Sequence, residues 1–269
     1  MQQPILATFE SELSRWRQHR KMSQLELSLE ANVSQRHISY LETGRSKPSR
    51  EMLIRLCDAM MIPFRERNQL LALGGFSAHY KEHTLDAPMM QPILNAIDSM
   101  LKAHDPLPAI VIDRFWNVIK QNEAASRWFT SLTDTPAMQK LIQQEGSFNL
   151  ALLTMHPDGL RQYIENWQQV FPLFVRRLIQ EVTLSGDNEV RQKLLGYLAM
   201  SDLGKPEPQH TQQVLMPVVP LILSIGGQKL SLFSIISTIG TAQDITADEL
   251  RVESFYPADA QTATYFGKS

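Results

Sequence analysis

The stretch SQLELSLEANVSQRHISYLETGRSKPS, residues 23–49, constrains the fold of this chain most. Ser23 followed three residues later by Glu26 is a reciprocal capping pair, which starts a helix by satisfying two orphan backbone donors. That helix turns Leu27 inward and ends near Ala31, and Asn32 stands where the chain must turn sharply with positive φ, a conformation asparagine tolerates better than most residues. Ser34 caps the next helix. Its inward residues Ile38 and Leu41 leave Gln35, Arg36, Ser39 and Tyr40 on the opposite side or its edges.

Two short helices joined by such a turn, the second presenting polar side chains, have the shape that enters a DNA major groove. Glutamine can pair bidentately with adenine and arginine with guanine. Gln35 and Arg36, in the first turn, are therefore the leading base-reading candidates, with Ser39 and Tyr40 beside them. Around this pair the apolar positions Phe9, Leu13 and Trp16 mark a preceding helix over residues 8–18. Helices over 49–60 and 63–73 complete a five-helix bundle, the last opening on Pro63.

These residues resemble the XRE (lambda-repressor-like) helix-turn-helix family, whose pattern runs SQ, leucine, a small residue, G-V-S and finally L-E-x-G-x-x-x-P-S. The resemblance covers roughly the first seventy residues. It implies that Gln24 contacts a phosphate and that Gln35 reads a base. The chain departs from the pattern at Asn32, where the family has glycine, and at Ser28, where it usually has alanine. Glu42 matches an acidic residue that pairs with an arginine of the first helix, here Arg17, in a structural role. Arg45 and Lys47, in the loop after the recognition helix, and Arg20 and Lys21 before the second helix are placed to meet phosphates and so to supply affinity without sequence choice. The charge distribution agrees in sign. Residues 1–80 hold 11 Lys+Arg against 8 Asp+Glu, a balance of +3, and the remainder holds 15 against 20, a balance of −5, within a total of −2.

At 269 residues the chain has room for two domains. A single cysteine, Cys57, excludes an intrachain disulfide and any multi-cysteine zinc pattern, and fits a reducing cytoplasm. No basic and apolar leader opens the sequence. The longest apolar run, residues 214–225, is shorter than a membrane span and carries Pro217 and Pro220, so no membrane partner is expected.

Gly74 and Gly75 end the bundle. The first domain is expected over 1–75, a linker over 76–90 and the second domain over 91–269. His79 and His83 are read as solvated linker histidines, since no third metal ligand stands nearby. In the second domain a helix over 91–103 precedes β-branched residues 109–112, a tight turn at Asp113 and Arg114, a strand over 116–120, and Asn122 as a helix cap. Residues 136–200 carry helical periodicity. Strands over 213–224, 228–238 and 249–255 follow, with Gly226 and Gly227 forming a hairpin turn. The fold expected is multidomain: an all-α bundle followed by an α+β domain, an antiparallel sheet with a helical insert and helices packed on one face.

The opening of this second half resembles a PAS sensor domain. With HPDGLRQYIENWQQVFPLFVRRL, WNVIKQNEAASRWF and SFYPAD, the whole is similar to the ligand-binding domain of MmyB-like regulators. That resemblance implies a transcription regulator binding double-stranded operator DNA, expected as a homodimer, and sensing a small apolar, fatty-acid-like ligand. Trp128, Phe129, Trp167, Phe171, Phe174, Met216, Val218, Phe233 and Ile235 are the expected pocket residues, with Arg176 or Arg177 as a charge partner for a carboxylate.

No catalytic constellation, metal site or cofactor motif is found. His156 with Asp158 and His104 with Asp105 read as helix-start residues, and Ser185 with Gly186 lacks a nucleophile-elbow pattern. Two alternatives stand beside the ligand sensor. A self-cleaving repressor of the LexA type would need a serine activated by Lys193 or Lys229. A DNA-binding scaffold that recruits protein partners would need no ligand.

Overall fold

The computed structural model describes residues 8–185, 187–200 and 217–267. It divides into two units, the first holding the chain up to Glu82 and the second most of the chain from His83 onward.

Five helices build the first unit: α1 Phe9–His19, α2 Gln24–Glu30, α3 Gln35–Glu42, α4 Arg50–Ala59 and α5 Phe64–Leu73. Four of them start on a side-chain cap, Thr8, Ser23, Ser34 and Ser49. At α2 the expected reciprocal pair forms: the Ser23 amide donates to Glu26 Oε2 at 2.6 Å and the Glu26 amide to Ser23 Oγ at 3.1 Å. Asn32 adopts φ 50°, and the Val33 amide folds back onto the Ser28 carbonyl at 2.9 Å, closing the turn that sets α3 against α2. Leu13, Trp16, Leu27, Ile38, Leu41 and Leu56 meet in one core, each at most 1% exposed, and Cys57 lies within it. Such burial contributes roughly 1.5–3 kcal/mol per large side chain, which holds five short helices that would be marginal alone.

The linker expected over 76–90 begins later than Gly75. Tyr80 stacks on Phe64 with ring centroids 4.0 Å apart. Asn68 donates to the Tyr80 carbonyl at 2.7 Å and accepts from the amides of His79 and Tyr80. His79 lies 3.3 Å from Arg50, so it is tied to the bundle and not only to solvent. Lack of hydrophobic period hid this segment because one aromatic ring and one asparagine hold it.

The second unit opens with α6 Gln91–His104, then β1 Ala109–Ile112, β2 Val118–Gln121 and α7 Glu123–Thr133. A helical stretch follows: α8 Pro136–Glu145, α9 Leu150–Met155, a 3-10 turn Leu160–Tyr163, α10 Trp167–Ser185 and α11 Asn188–Ala199. The chain closes with β3 Leu221–Ile225, β4 Gln228–Ser237, α12 Ile245–Glu249, β5 Arg251–Pro257 and α13 Ala260–Gly267. The sheet order is β2-β1-β5-β4-β3, every neighbouring pair antiparallel. Gly226 and Gly227, at φ 56° and 79°, make the two-residue turn between β3 and β4, a backbone that suits glycine and matches strand twist.

Helices cover both faces of the sheet, where the sequence reading had them on one. Ile110 and Ile112 join the large core under α7, α9 and α10, while Ala109 and Val111 join Ile97 and Leu101 of α6 on the reverse face. That is why all four residues of β1 are buried. The strand expected from residue 116 starts at Val118. Asp113 Oδ1 accepts from the amides of Phe115 and Asn117, an Asx turn that carries the chain through Trp116 at φ 69° before pairing resumes. Residues 213–216 of the strand expected over 213–224 lie outside the described residues, and β3 begins only after Pro220.

Candidate DNA interface and ligand cavity

On α3 the buried pair Ile38 and Leu41 turns the other face outward. Gln35 and Arg36 are exposed, and Ser39 and Tyr40 half-buried. Arg36 Nε donates to the Tyr40 hydroxyl at 2.9 Å, and the guanidinium groups of Arg36 and Arg45 lie 5.2 Å and 5.9 Å from the Tyr40 ring centroid. Tyr40 thus organises two cations along one helix edge, each contact worth about 0.5–1 kcal/mol at an exposed site. Lys21, Arg45 and Lys47 are exposed. The arrangement offers long donors at a helix start, flanked by positive charge, which suits base edges and phosphates.

Two of the expected phosphate ligands are occupied otherwise. Arg20 donates through Nε to the Met60 carbonyl at 2.7 Å and through Nη2 to the Met61 carbonyl at 2.9 Å, and its guanidinium sits 5.2 Å from the Trp16 ring centroid. Burial pushes its pKa down. Arg20 therefore satisfies the carbonyls at the end of α4, where Met61 turns back at φ 46°. Gln24 donates to Glu42 Oε2 at 2.9 Å and so has one amide hydrogen committed inside the unit. The Arg17–Glu42 pair forms as expected. Burial pushes the Glu42 carboxyl up, but the hydrogen bonds from Arg17 and Gln24 outweigh it and hold the group below its ordinary value.

The second unit contains a cavity of about 270 Å³ between the sheet and its helices. Trp128, Phe129 and Leu132 of α7 wall one side, and Val170, Leu173, Phe174 and Arg177 of α10 another. Leu221 and Leu223 of β3, Leu232 and Ser234 of β4, and Glu253 and Phe255 of β5 form its floor. The register explains this floor: Leu221 faces Leu232 and Ser234 faces Phe255, so the side chains of each pair project to one side.

Of the nine expected pocket residues, Trp128, Phe129, Phe174, Val218 and Phe233 border the cavity. Trp167 and Phe171 do not. They form a tilted pair with centroids 5.1 Å apart and pack with Val175 and Leu178 into the core, a stripe next to the one bearing Val170, Phe174 and Arg177. Ile235, further along β4, is half-exposed and lies outside the cavity lining. Met216 lies outside the described residues.

At one end of the cavity stands a polar cluster that sequence reading missed except for Arg177. Arg177 Nη1 and Nη2 each lie 3.2 Å from Glu253 carboxylate oxygens, and Nε lies 3.2 Å from Glu181 Oε1. Trp116 Nε1 donates to Glu181 Oε2 at 2.7 Å, and the guanidinium lies over the Trp116 ring at 4.2 Å. Glu253 is 4% exposed, a carboxylate taken out of water that needs such a partner. Its signal in sequence is faint: one acidic residue within the strand RVESFYP. The indole Nε1 of Trp128 is buried with no hydrogen-bond partner.

Lys193 and Lys229, the bases a self-cleaving repressor would require, are ion-paired with Glu145 and Glu165, each at 2.7 Å. Among the described residues no cluster of His, Cys, Asp or Glu is arranged to hold a metal ion, and no helix is long and apolar enough to cross a membrane.

Residues 13–66 match the helix-turn-helix family, and residues 93–266 match the MmyB-like transcription regulator ligand binding domain. The chain belongs to the MmyB-like transcription regulators. It is therefore a DNA-binding transcription regulator with a ligand-binding domain, the first carried by α1–α5 and the second by the sheet and its helices. No curated protein matches this regulator significantly. A solved structure described as an RNA-binding light-oxygen-voltage receptor is similar over 96% of this chain at 12% identity, with a TM-score of 0.23 that is too low to argue from. The regulator spans 62% of the length of that protein.

Proposed function

We propose that this regulator binds a pseudo-palindromic operator as a homodimer, reading bases with Gln35 and Arg36, and that a small apolar ligand in the cavity changes its operator affinity. The carrying observation is the cavity of about 270 Å³ in the same chain as an exposed, capped recognition helix. A cavity of about 150 Å³ lined by apolar side chains already admits benzene. This one has room for roughly ten heavy atoms, and its aromatic and aliphatic walls suit the apolar tail of a fatty-acid-like molecule.

One recognition helix reads few bases, and two-fold pairing doubles the contacts. For the ligand to regulate, it must bind one arrangement of the two DNA-binding units more tightly than the other, because equal affinity shifts nothing. Selection of duplexes from a random library by the full chain tests the first half of the reading. An enriched inverted repeat, bound by two chains per duplex, is expected. Enrichment of no sequence above background refutes base reading by α3.

A further inference from the structure

We infer that the ligand carries an uncharged hydroxyl-type head group that donates to Glu253, and that the cavity discriminates against a free carboxylate. The inference rests on the reading of the cavity as the ligand site and deepens it.

The charged groups at the cavity are one guanidinium and two carboxylates, beside the lining hydroxyls of Thr154 and Ser234. Arg177 and Glu253 both line the space, and Glu181 stands behind them on Arg177 Nε and Trp116 Nε1. The positive charge is therefore already matched by Glu253 and exceeded by Glu181. A ligand carboxylate would bring a third anion to a single cation beside Glu253, itself buried, where like charges repel more strongly than in water. It would also meet the Glu253 oxygens with no proton between acceptor and acceptor.

A hydroxyl meets neither obstacle. It donates to a Glu253 oxygen, and its own oxygen can accept from an Arg177 N–H, of which five exist and the two glutamates do not use all. Bringing it into the cavity costs far less desolvation than bringing in an ion. An ammonium head matches the net charge but carries donors only and loses far more hydration on entry than a hydroxyl. The buried Nε1–H of Trp128, a lining residue, is a further donor without an acceptor, which an oxygen on the ligand suits and a second donor does not.

The test is the affinity of the full chain for 1-decanol and for decanoate, two probes with the same tail, at pH 8, where decanoate is ionised. Calorimetry is expected to show the alcohol binding at least tenfold more tightly. Glu253→Gln removes one negative charge and keeps a hydrogen-bonding end, so it is expected to narrow that gap at least threefold. Should this variant fail to fold, the wild-type comparison decides alone. Decanoate binding as tightly as decanol, or more so, overturns the inference while leaving the cavity as a ligand site. Binding of neither probe overturns the ligand-site reading itself and the inference with it.

Discussion

Arg17 grips Glu42 across the first unit with two parallel hydrogen bonds, Nε to Oε1 at 2.6 Å and Nη2 to Oε2 at 2.9 Å. The third nitrogen of the same guanidinium reaches the Met22 carbonyl at 2.9 Å, so one side chain joins α1, the loop before α2 and the end of α3. Both partners are largely buried, at 13% and 6% side-chain exposure. Removing one of them strands the other. Arg17→Ala is therefore expected to cost about 3–5 kcal/mol of stability, read as a fall in the denaturant midpoint of the first transition. A loss no larger than that of an exposed arginine, such as Arg15→Ala, would show the pair to be ornamental.

Acid should remove the same contribution. Glu42 is held below its ordinary 4.5 in the folded chain. The unfolded chain thus takes up the proton first as pH falls, and stability is lost progressively from about pH 5 downward, through the lowered folded pKa. Above that range the contribution is complete. Unfolding curves for wild type and Glu42→Gln between pH 7 and pH 3 should converge as acidity rises; parallel curves would assign the acid sensitivity to other carboxylates.

Gln35→Ala and Arg36→Ala are expected to lose about 1–3 kcal/mol of operator affinity while leaving random duplex binding nearly unchanged. Lys47→Ala should weaken both equally and reduce the salt slope by about one unit. Equal losses for Gln35→Ala on operator and random DNA would remove that residue from the base-reading set.

Arg20 separates a structural role from an electrostatic one. Its hydrogen bonds to the Met60 and Met61 carbonyls lead us to expect that Arg20→Ala lowers the melting temperature of the first unit. The salt slope of DNA binding should stay as in wild type, and a slope lowered as far as in Lys47→Ala would return Arg20 to the phosphate contacts.

Much of the first unit was legible because its signals are local. Ser23 with Glu26, Asn32 and Ser34 declare a helix, a left-handed turn and a second helix within twelve residues, and Gly226 with Gly227 declares a hairpin by the same kind of rule. What escaped depends on partners far apart in sequence. Arg20 meets carbonyls forty residues away, and Glu253 meets Arg177 across seventy-six. Periodicity also leaves parity and stripe undecided. On β4 it marks apolar positions of both parities, and only the folded chain shows that Leu232, Phe233 and Ser234 border the cavity while Ile235 does not. On α10 two adjacent apolar stripes exist, and only packing shows that Phe174 faces space while Trp167 and Phe171 face core.

The decisive measurement is the dissociation constant of the full chain for its enriched operator, taken with the cavity empty and again with a saturating probe that raises the melting temperature, at one fixed salt concentration. A change of about five- to one-hundred-fold, corresponding to a coupling of about 1–3 kcal/mol, is expected on operator and absent on random duplex. A probe that stabilises the second unit yet leaves operator affinity unaltered would contradict a ligand-responsive regulator.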